Sequence, residues 1–185
     1  MPNPLKVLLY EPYLKLRDWV APAQEPAIPE GEFVRGINLG GEAVEIGGDR
    51  WLSYPEALAA GLTTPGTTVA TTYLIPAPYP SRGTRTMLNS VIFRSHRLEI
   101  EQTLPNGTYD LYLWIMENYQ THWHTLALRV AEQPVATGIG YLPVRGWARY
   151  GPYSTTVTNG SLNLSLTANP NIDAHLMGMS LYRYP

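Results

Sequence analysis

Apolar and polar residues alternate along most of this chain with the two-residue period of strands. In 96–104 (HRLEIEQTL), Leu98 and Ile100 point one way and Glu99 and Glu101 the other, because successive strand side chains face opposite sides of a sheet. In 108–116 (TYDLYLWIM), Tyr109, Leu111, Leu113 and Ile115 share one face, and Asp110, Tyr112, Trp114 and Met116 the other. Further strands are predicted over 33–39 (FVRGINL), 43–46 (AVEI), 67–75 (TTVATTYLI), 125–132 (TLALRVAE), 155–168 and 175–184, with a short one over 5–10 (LKVLLY). Gly40-Gly41, Asn106-Gly107 and Asn159-Gly160 read as hairpin turns, Asn-Gly being the strongest short hairpin signal. One helix is predicted at 55–60 (PEALAA), with Pro55 at its start and Gly61 at its stop. The Pro, Ser, Gly and Arg of 76–86 predict a long loop.

Eight or more strands with at most one short helix predict an all-β fold, an antiparallel two-sheet β-sandwich of jelly-roll-like form. Residues 20–32 are rich in Pro, Ala and Glu, so 1–32 read as an N-terminal arm or linker carrying the short strand. Such an arm is suited to drape over a neighbouring domain or subunit. Residues 33–185 read as one sandwich domain.

Composition narrows the function. A 185-residue chain with 44% hydrophobic residues buries a sizeable core, and a formal net charge of −2 gives no footprint for nucleic acid or an anionic membrane. The absence of cysteine excludes disulfides, zinc thiolates and thiol nucleophiles. No apolar run reaches the roughly 18–20 residues of a membrane helix, and Met1–Tyr10 lacks the pattern of a signal peptide. The 13 Tyr and 5 Trp against 2 Phe favour rings that keep a polar edge toward water or a ligand.

Taken in order, five segments resemble the malectin-like family of carbohydrate-binding domains. They are Ile37-Asn38-Leu39-Gly40-Gly41, Asp49-Arg50-Trp51, Arg94 ahead of the central hairpin, that hairpin's Pro105-Asn106-Gly107-Thr108-Tyr109-Asp110-Leu111 ending at Glu117, and Gly160–Leu164 followed by Asn169-Pro170-Asn171-Ile172. The resemblance spans about residues 33–184 and implies a sandwich whose loops at one end bind oligosaccharide through aromatic rings, without catalysis and without a cofactor. It implies that Tyr119, just after Glu117, is a binding aromatic. The acidic residue that often precedes the family's late Asn-Pro is here Ala168.

The candidate ligand-binding residues are Trp51 and Tyr54 in the first loop, Tyr119, His122 and Trp123 after the central strand, and Asn169 and Asp173 in the last loop. Trp147 and Tyr150 are further loop aromatics, whereas Trp114, in mid-strand, is expected to pack and Arg94 to serve as a structural partner. Two other classes stay open. Tyr-rich loops serve a protein-interaction module equally well. His122-Trp123-His124 is a His-x-His pair that on a strand would aim both rings to one face, as in metal-dependent jelly rolls of the cupin kind, with His175 as a later histidine. A glycosidase needs two carboxylates across a cleft, but Glu99, Glu101 and Glu117 read as ordinary strand carboxylates. No nucleophile elbow or phosphate loop is present. The chain therefore reads as a non-enzyme.

Overall fold

The computed structural model describes residues 27 and 29–183. The strand expected over 5–10, and with it most of the arm, lies outside the described residues. In chain order the first strands are β1 (Glu32–Asn38), β2 (Val44–Ile46), β3 (Asp49–Trp51), β4 (Leu62–Thr63) and β5 (Thr68–Thr71), with helix α1 (Tyr54–Ala59) between β3 and β4. Helix α2 (Arg82–Leu88) then leads into β6 (Ser90–Ser95), β7 (Arg97–Thr103) and β8 (Gly107–Met116). The remaining strands are β9 (Leu126–Val130), β10 (Gln133–Ile139), β11 (Trp147–Val157), β12 (Ser161–Thr167), β13 (Asp173–Leu176) and β14 (Gly178–Arg183).

Two antiparallel sheets face each other, as expected for the sandwich. The front sheet runs β1-β14-β8-β11 and the back sheet β10-β9-β12-β7-β4. The period-two reading explains the core between them. Tyr109, Leu111, Leu113 and Ile115 of β8 meet Leu98 and Ile100 of β7, Leu126 and Leu128 of β9, and Leu162, Leu164 and Leu166 of β12. Each such fully buried aliphatic side chain contributes about 1.5–3 kcal/mol. The opposite face of β8 is buried too. Trp114 and Met116 join Trp51, Trp147, Met87, Leu88 and Met177 in a second cluster. That cluster lies under the β2–β3 hairpin and α2, so Trp114 is a packing residue as expected. Its ring lies 5.8 Å edge-on from Trp51 and 5.9 Å stacked on Trp147.

Four expectations about connection and helix content are corrected. The segments 33–39 and 43–46 form no hairpin with each other. β1 pairs with β14, and β2 pairs with β3 across Gly47-Gly48. Gly40-Gly41 instead passes tightly over the start of β6. A Cβ at Gly40 would stand 2.8 Å from the Val91 carbonyl oxygen, and one at Gly41 would stand 2.3 Å from Ser90 Oγ. Asn38 Nδ2 holds this crossing by donating to the Glu42 carbonyl at 2.7 Å.

Neither Asn-Gly turn makes a hairpin. Each carries the chain from one sheet to the other, β7 to β8 and β11 to β12. The two crossings lie together, with the Gly160 amide donating to Asn106 Oδ1 at 2.9 Å and the Leu104 amide to the Gly160 carbonyl at 3.0 Å. Tyr109 donates its hydroxyl back to the Pro105 carbonyl at 2.8 Å and fixes the first of them. The expected long loop 76–86 gives way at Arg82 to α2, which runs on to Leu88, so the fold has two short helices where at most one was expected. Ser81 caps α2 by accepting from the Thr84 amide. Gly83 lets α2 lie against β2, since a Cβ there would collide with the Glu45 carbonyl. Glycine and serine therefore signalled a cap and a close approach, not a loop. Strand 175–184 is split at Met177 into β13 and β14, which join different sheets. No helix among the described residues is long and apolar enough to cross a membrane.

A third, three-stranded sheet, β13-β6-β5, positions the candidate site. Along β13, Ala174 and Leu176 enter the main core, and Asp173 and His175 point to the other face.

Candidate functional site

The site is assembled from the loop that follows β8 and from the outward face of β13. Glu117, the residue after β8, is fully buried, and its carboxylate organises the loop. Oε1 accepts the Tyr119 amide at 3.0 Å, and Oε2 accepts the His124 amide at 3.0 Å. His124 Nδ1 adds a third bond, 2.9 Å from Oε1. Burial alone would raise the Glu117 pKa, but these hydrogen bonds outweigh it and hold the carboxyl below the usual range. Residues 118–123 are thereby looped out, and Tyr119 and Trp123 stand exposed with their rings edge to face, 5.1 Å apart.

On the inner side of this loop, His124 Nε2 faces Asp173 Oδ1 at 3.5 Å, and its ring meets that of His175 at 4.0 Å, nearly perpendicular. Both imidazoles are buried, each 1% exposed, while Asp173 is half-buried. Burial disfavours a charged His124, yet its hydrogen bonds to Asp173 and Glu117 and their charges prevail and push its pKa up to about 9. Asp173 is held low by the same bond to His124. His175 goes the other way, to about 4, first through burial and then through the charge of His124, so its ring is neutral. Neither nitrogen of His175 completes a hydrogen bond.

Above this cluster lies a hollow of about 220 Å³, walled by Ala70, Thr72, Val91, Phe93, Asn118 and Tyr119. A larger groove of about 770 Å³ lies on the other side of β5, where Gly40, Tyr54, Val69, Tyr73, Arg85 and Asn89 contribute to its lining. The alternation along β5 separates the two, Val69 and Thr71 facing the groove and Ala70 the hollow.

The structure brings together only part of the expected residue set. Tyr119 and Asp173 line the hollow, and Trp123 packs against Tyr119. Trp51 is 2% exposed inside the second cluster and faces no ligand surface, which corrects its assignment as a binding residue. It sits there because Gly36 leaves room; a Cβ at that position would lie 2.3 Å from its ring. Tyr54 lines the larger groove, with its hydroxyl bonded to Thr64. Asn169 is exposed in the turn after β12, where its carbonyl accepts the Ile172 amide, and it lines neither cavity. Trp147 is nearly buried and donates to the Pro78 carbonyl, and the Tyr150 hydroxyl accepts the Gly140 amide. Arg94 is a structural partner as expected, donating to the Pro65 carbonyl and pairing with Glu99.

The His-x-His pair does not act together. Residues 122–124 are not in a strand, and His122 has a φ of 60°. Its ring stacks on exposed Tyr141 at 4.3 Å, away from the hollow. His124 meets His175 and Asp173 instead. Sequence reading missed Tyr141 and the Glu117–His124–His175 cluster; the Asp173-x-His175 spacing is the signal that a strand beginning at 173 would have exposed.

No protein-family model and no curated protein matches the sequence. Solved structures of similar fold include a β-glucuronidase of Bacteroides uniformis, with a TM-score of 0.65, 12% identity, and cover of 82% of this chain and 18% of that one. The plant receptor-like kinase FER gives a TM-score of 0.64 at 12% identity over 82% of this chain and 42% of that one. The ANXUR2 extracellular domain from Arabidopsis thaliana gives 0.63 at 13% identity over 82% and 48%. The chain spans less than half the length of each of these structures. At such identities the likeness is one of fold: a β-sandwich of the kind found within a glycoside-acting enzyme and within plant receptor ectodomains.

Proposed function

We propose that the chain is a non-catalytic glycan-binding domain that receives a sugar ring at the Tyr119–Trp123 ledge and the hollow beside it. The observation that carries this reading is the exposed ring pair, one member of which walls a concave, partly polar hollow. A pyranose has an apolar C–H face and a hydroxyl rim. An aromatic plane takes the face, for about 1 kcal/mol beyond plain burial. Asn118, Thr72 and Asp173 take hydroxyls that would otherwise cost about 1–3 kcal/mol each if buried unpaired.

At about 220 Å³ the hollow falls below the roughly 300–1,000 Å³ of small-molecule pockets, which suits one residue of a longer chain. The remainder crosses Thr72, shared by both cavities, toward Tyr54 and Tyr73 in the larger groove. The malectin-like resemblance at Tyr119 and the likeness of fold to receptor-like kinase ectodomains support the same reading. A glycosidase would need two carboxylates roughly 5–10 Å apart across the substrate. Among the described residues Asp173 is the one carboxylate lining the hollow, and Glu117 beneath it is occupied by three hydrogen bonds. This supports binding without hydrolysis.

A second reading has its own observation. Val69, Tyr73 and Ile75 are exposed around the larger groove, an apolar lining that suits a protein segment. A glycan-array screen of the chain, followed by titration of the best glycan, separates the two. Losing a ring contact worth about 1.5–3 kcal/mol weakens binding roughly ten- to hundredfold in Tyr119→Ala and Trp123→Ala. Because both rings are exposed, the melting temperature should hold. Absence of any glycan ligand, or binding indifferent to both substitutions, would sink the glycan reading.

A further inference from the structure

We propose that His124, His175 and Asp173 form a binding site for a divalent transition metal such as Zn²⁺ at the floor of the hollow. This goes beyond the glycan reading and does not depend on it. One ligand atom from each of the three residues lies within 4.8 Å of the others, and the His124 Nε2 to Asp173 Oδ1 distance is 3.5 Å. With Zn–N and Zn–O bonds of about 2.0–2.2 Å, ligand atoms around a tetrahedral ion sit roughly 3.3–3.6 Å apart. One pair therefore already has that spacing, and modest side-chain rotation draws in the third.

The independent observation is His175. It is 1% exposed, lies at the hollow's floor, and has two ring nitrogens without a hydrogen-bond partner. An unmade hydrogen bond on a buried polar atom costs about 1–3 kcal/mol, and an apolar residue would fill the same space on β13 without that cost. A metal ion at the shared focus supplies the missing partner.

The surroundings have the form a metal site requires. Metal-bound imidazoles hold their other nitrogen on a carboxylate or carbonyl, which fixes ring orientation and raises basicity. His124 Nδ1 is held by buried Glu117 in this manner. Two imidazoles with one carboxylate select Zn²⁺, Fe²⁺ or a similar ion over Ca²⁺ or Mg²⁺, which prefer all-oxygen shells. Three protein ligands leave a coordination position toward the hollow, where a water or a ligand hydroxyl completes the shell. His122 has no part in this site, since its ring is stacked on Tyr141.

The test is calorimetric titration of the purified whole chain with Zn²⁺, repeated with Co²⁺ so that its visible absorption reports coordination geometry. Saturation at one ion per chain is expected. Asp173→Asn and His175→Ala should each weaken binding about tenfold or more, and Glu117→Gln by about 10–100-fold as an outer partner. His122→Ala should leave affinity and Co²⁺ spectrum unchanged. Asp173 is half-exposed, so its variant keeps the test decisive if His175→Ala fails to fold. Absence of saturable Zn²⁺ binding to the wild-type chain would overturn the proposal, as would binding that survives Asp173→Asn but disappears in His122→Ala. Glycan binding is not read in these titrations, so their failure and that of the glycan reading are distinguishable.

Discussion

Replacing Glu117 with glutamine isolates the group that organises the loop. The substitution keeps shape and removes charge. The carboxylate accepts the amides of Tyr119 and His124 and faces His124 Nδ1. All three partners are donors in the native network. A glutamine has one acceptor oxygen and one NH₂ group, so it must turn a donor toward a donor in at least one of the three places. Hydrogen bonds to a charged group are worth about 1.5–3 kcal/mol each, and an orphaned buried donor costs about 1–3 kcal/mol. Losing one bond and weakening the others sums to about 2–4 kcal/mol. For a domain of this size about 1 kcal/mol moves the melting temperature by 2–4 °C, so Glu117→Gln should melt about 4–16 °C lower. Urea unfolding followed by Trp fluorescence supplies the free energy directly. Glu99→Gln is the control, because its ion pairs with Arg94 and Arg97 are exposed and worth about 1 kcal/mol or less. If Glu117→Gln unfolds within about 0.5 kcal/mol of wild type, the carboxylate does not hold the loop and the account of the site's construction is wrong.

Other consequences are open to similar measurement. Gly36→Ala places a Cβ 2.3 Å from the Trp51 ring, so overpacking should cost about 1–3 kcal/mol and alter the near-ultraviolet dichroism of the Trp51–Trp114–Trp147 cluster; an unchanged spectrum and stability would contradict the packing described. Helix α1 starts with a reciprocal Ser53–Glu56 cap, and Ser53→Ala should cost about 1 kcal/mol by chemical denaturation. Bonds from the Ser53 backbone, Arg50 and the Ser53 hydroxyl lower the Glu56 pKa from 4.5 to about 2. A depressed carboxylate stabilises the fold above its unfolded value and stops doing so as pH falls through its folded one. The stability gap between wild type and Glu56→Gln should thus be constant above pH 4.5, shrink in acid and vanish near pH 2. A gap that grew in acid would reverse the sign and refute the assignment.

The strands were legible because alternation directly reports which side chains share a face. The two faces of 108–116 are the two faces of β8, and both find a core. What alternation does not carry is the identity of the partner strand. Asn106-Gly107 and Asn159-Gly160 are correct as turns and misleading as hairpins, since the same tight reversal serves to change sheets. Trp51 shows a similar limit. An aromatic residue beside charged Asp49 and Arg50 reads as loop-exposed, and only the absence of a Cβ at Gly36, on β1, whose carbonyl there accepts the Leu52 amide, makes room to bury it. At the site, Tyr119 and Trp123 were visible amid polar neighbours. The pairing of His124 with His175 was not, because His122-x-His124 is a nearer match in sequence and the left-handed backbone at His122 separates the two rings. Distance along the chain hid the cluster that the fold assembles.

The front sheet also sets the order in which the chain can be completed as it is made. Glu32 of β1 pairs with Arg183 of β14, and β14 in turn pairs with β8. The first described strand therefore waits for the last. Until β14 has been synthesised, β8 is present with apolar side chains on both faces but lacks the neighbour that joins it to β1. Contacts this distant in sequence slow folding, because chain-closure entropy is spent before any pairing is gained. Apolar strand surface exposed during that interval is open to aggregation. Expression at lower temperature or with a chaperone that shields extended segments should raise the soluble yield, and a chain stopped before β14 should be insoluble even though it retains the whole back sheet.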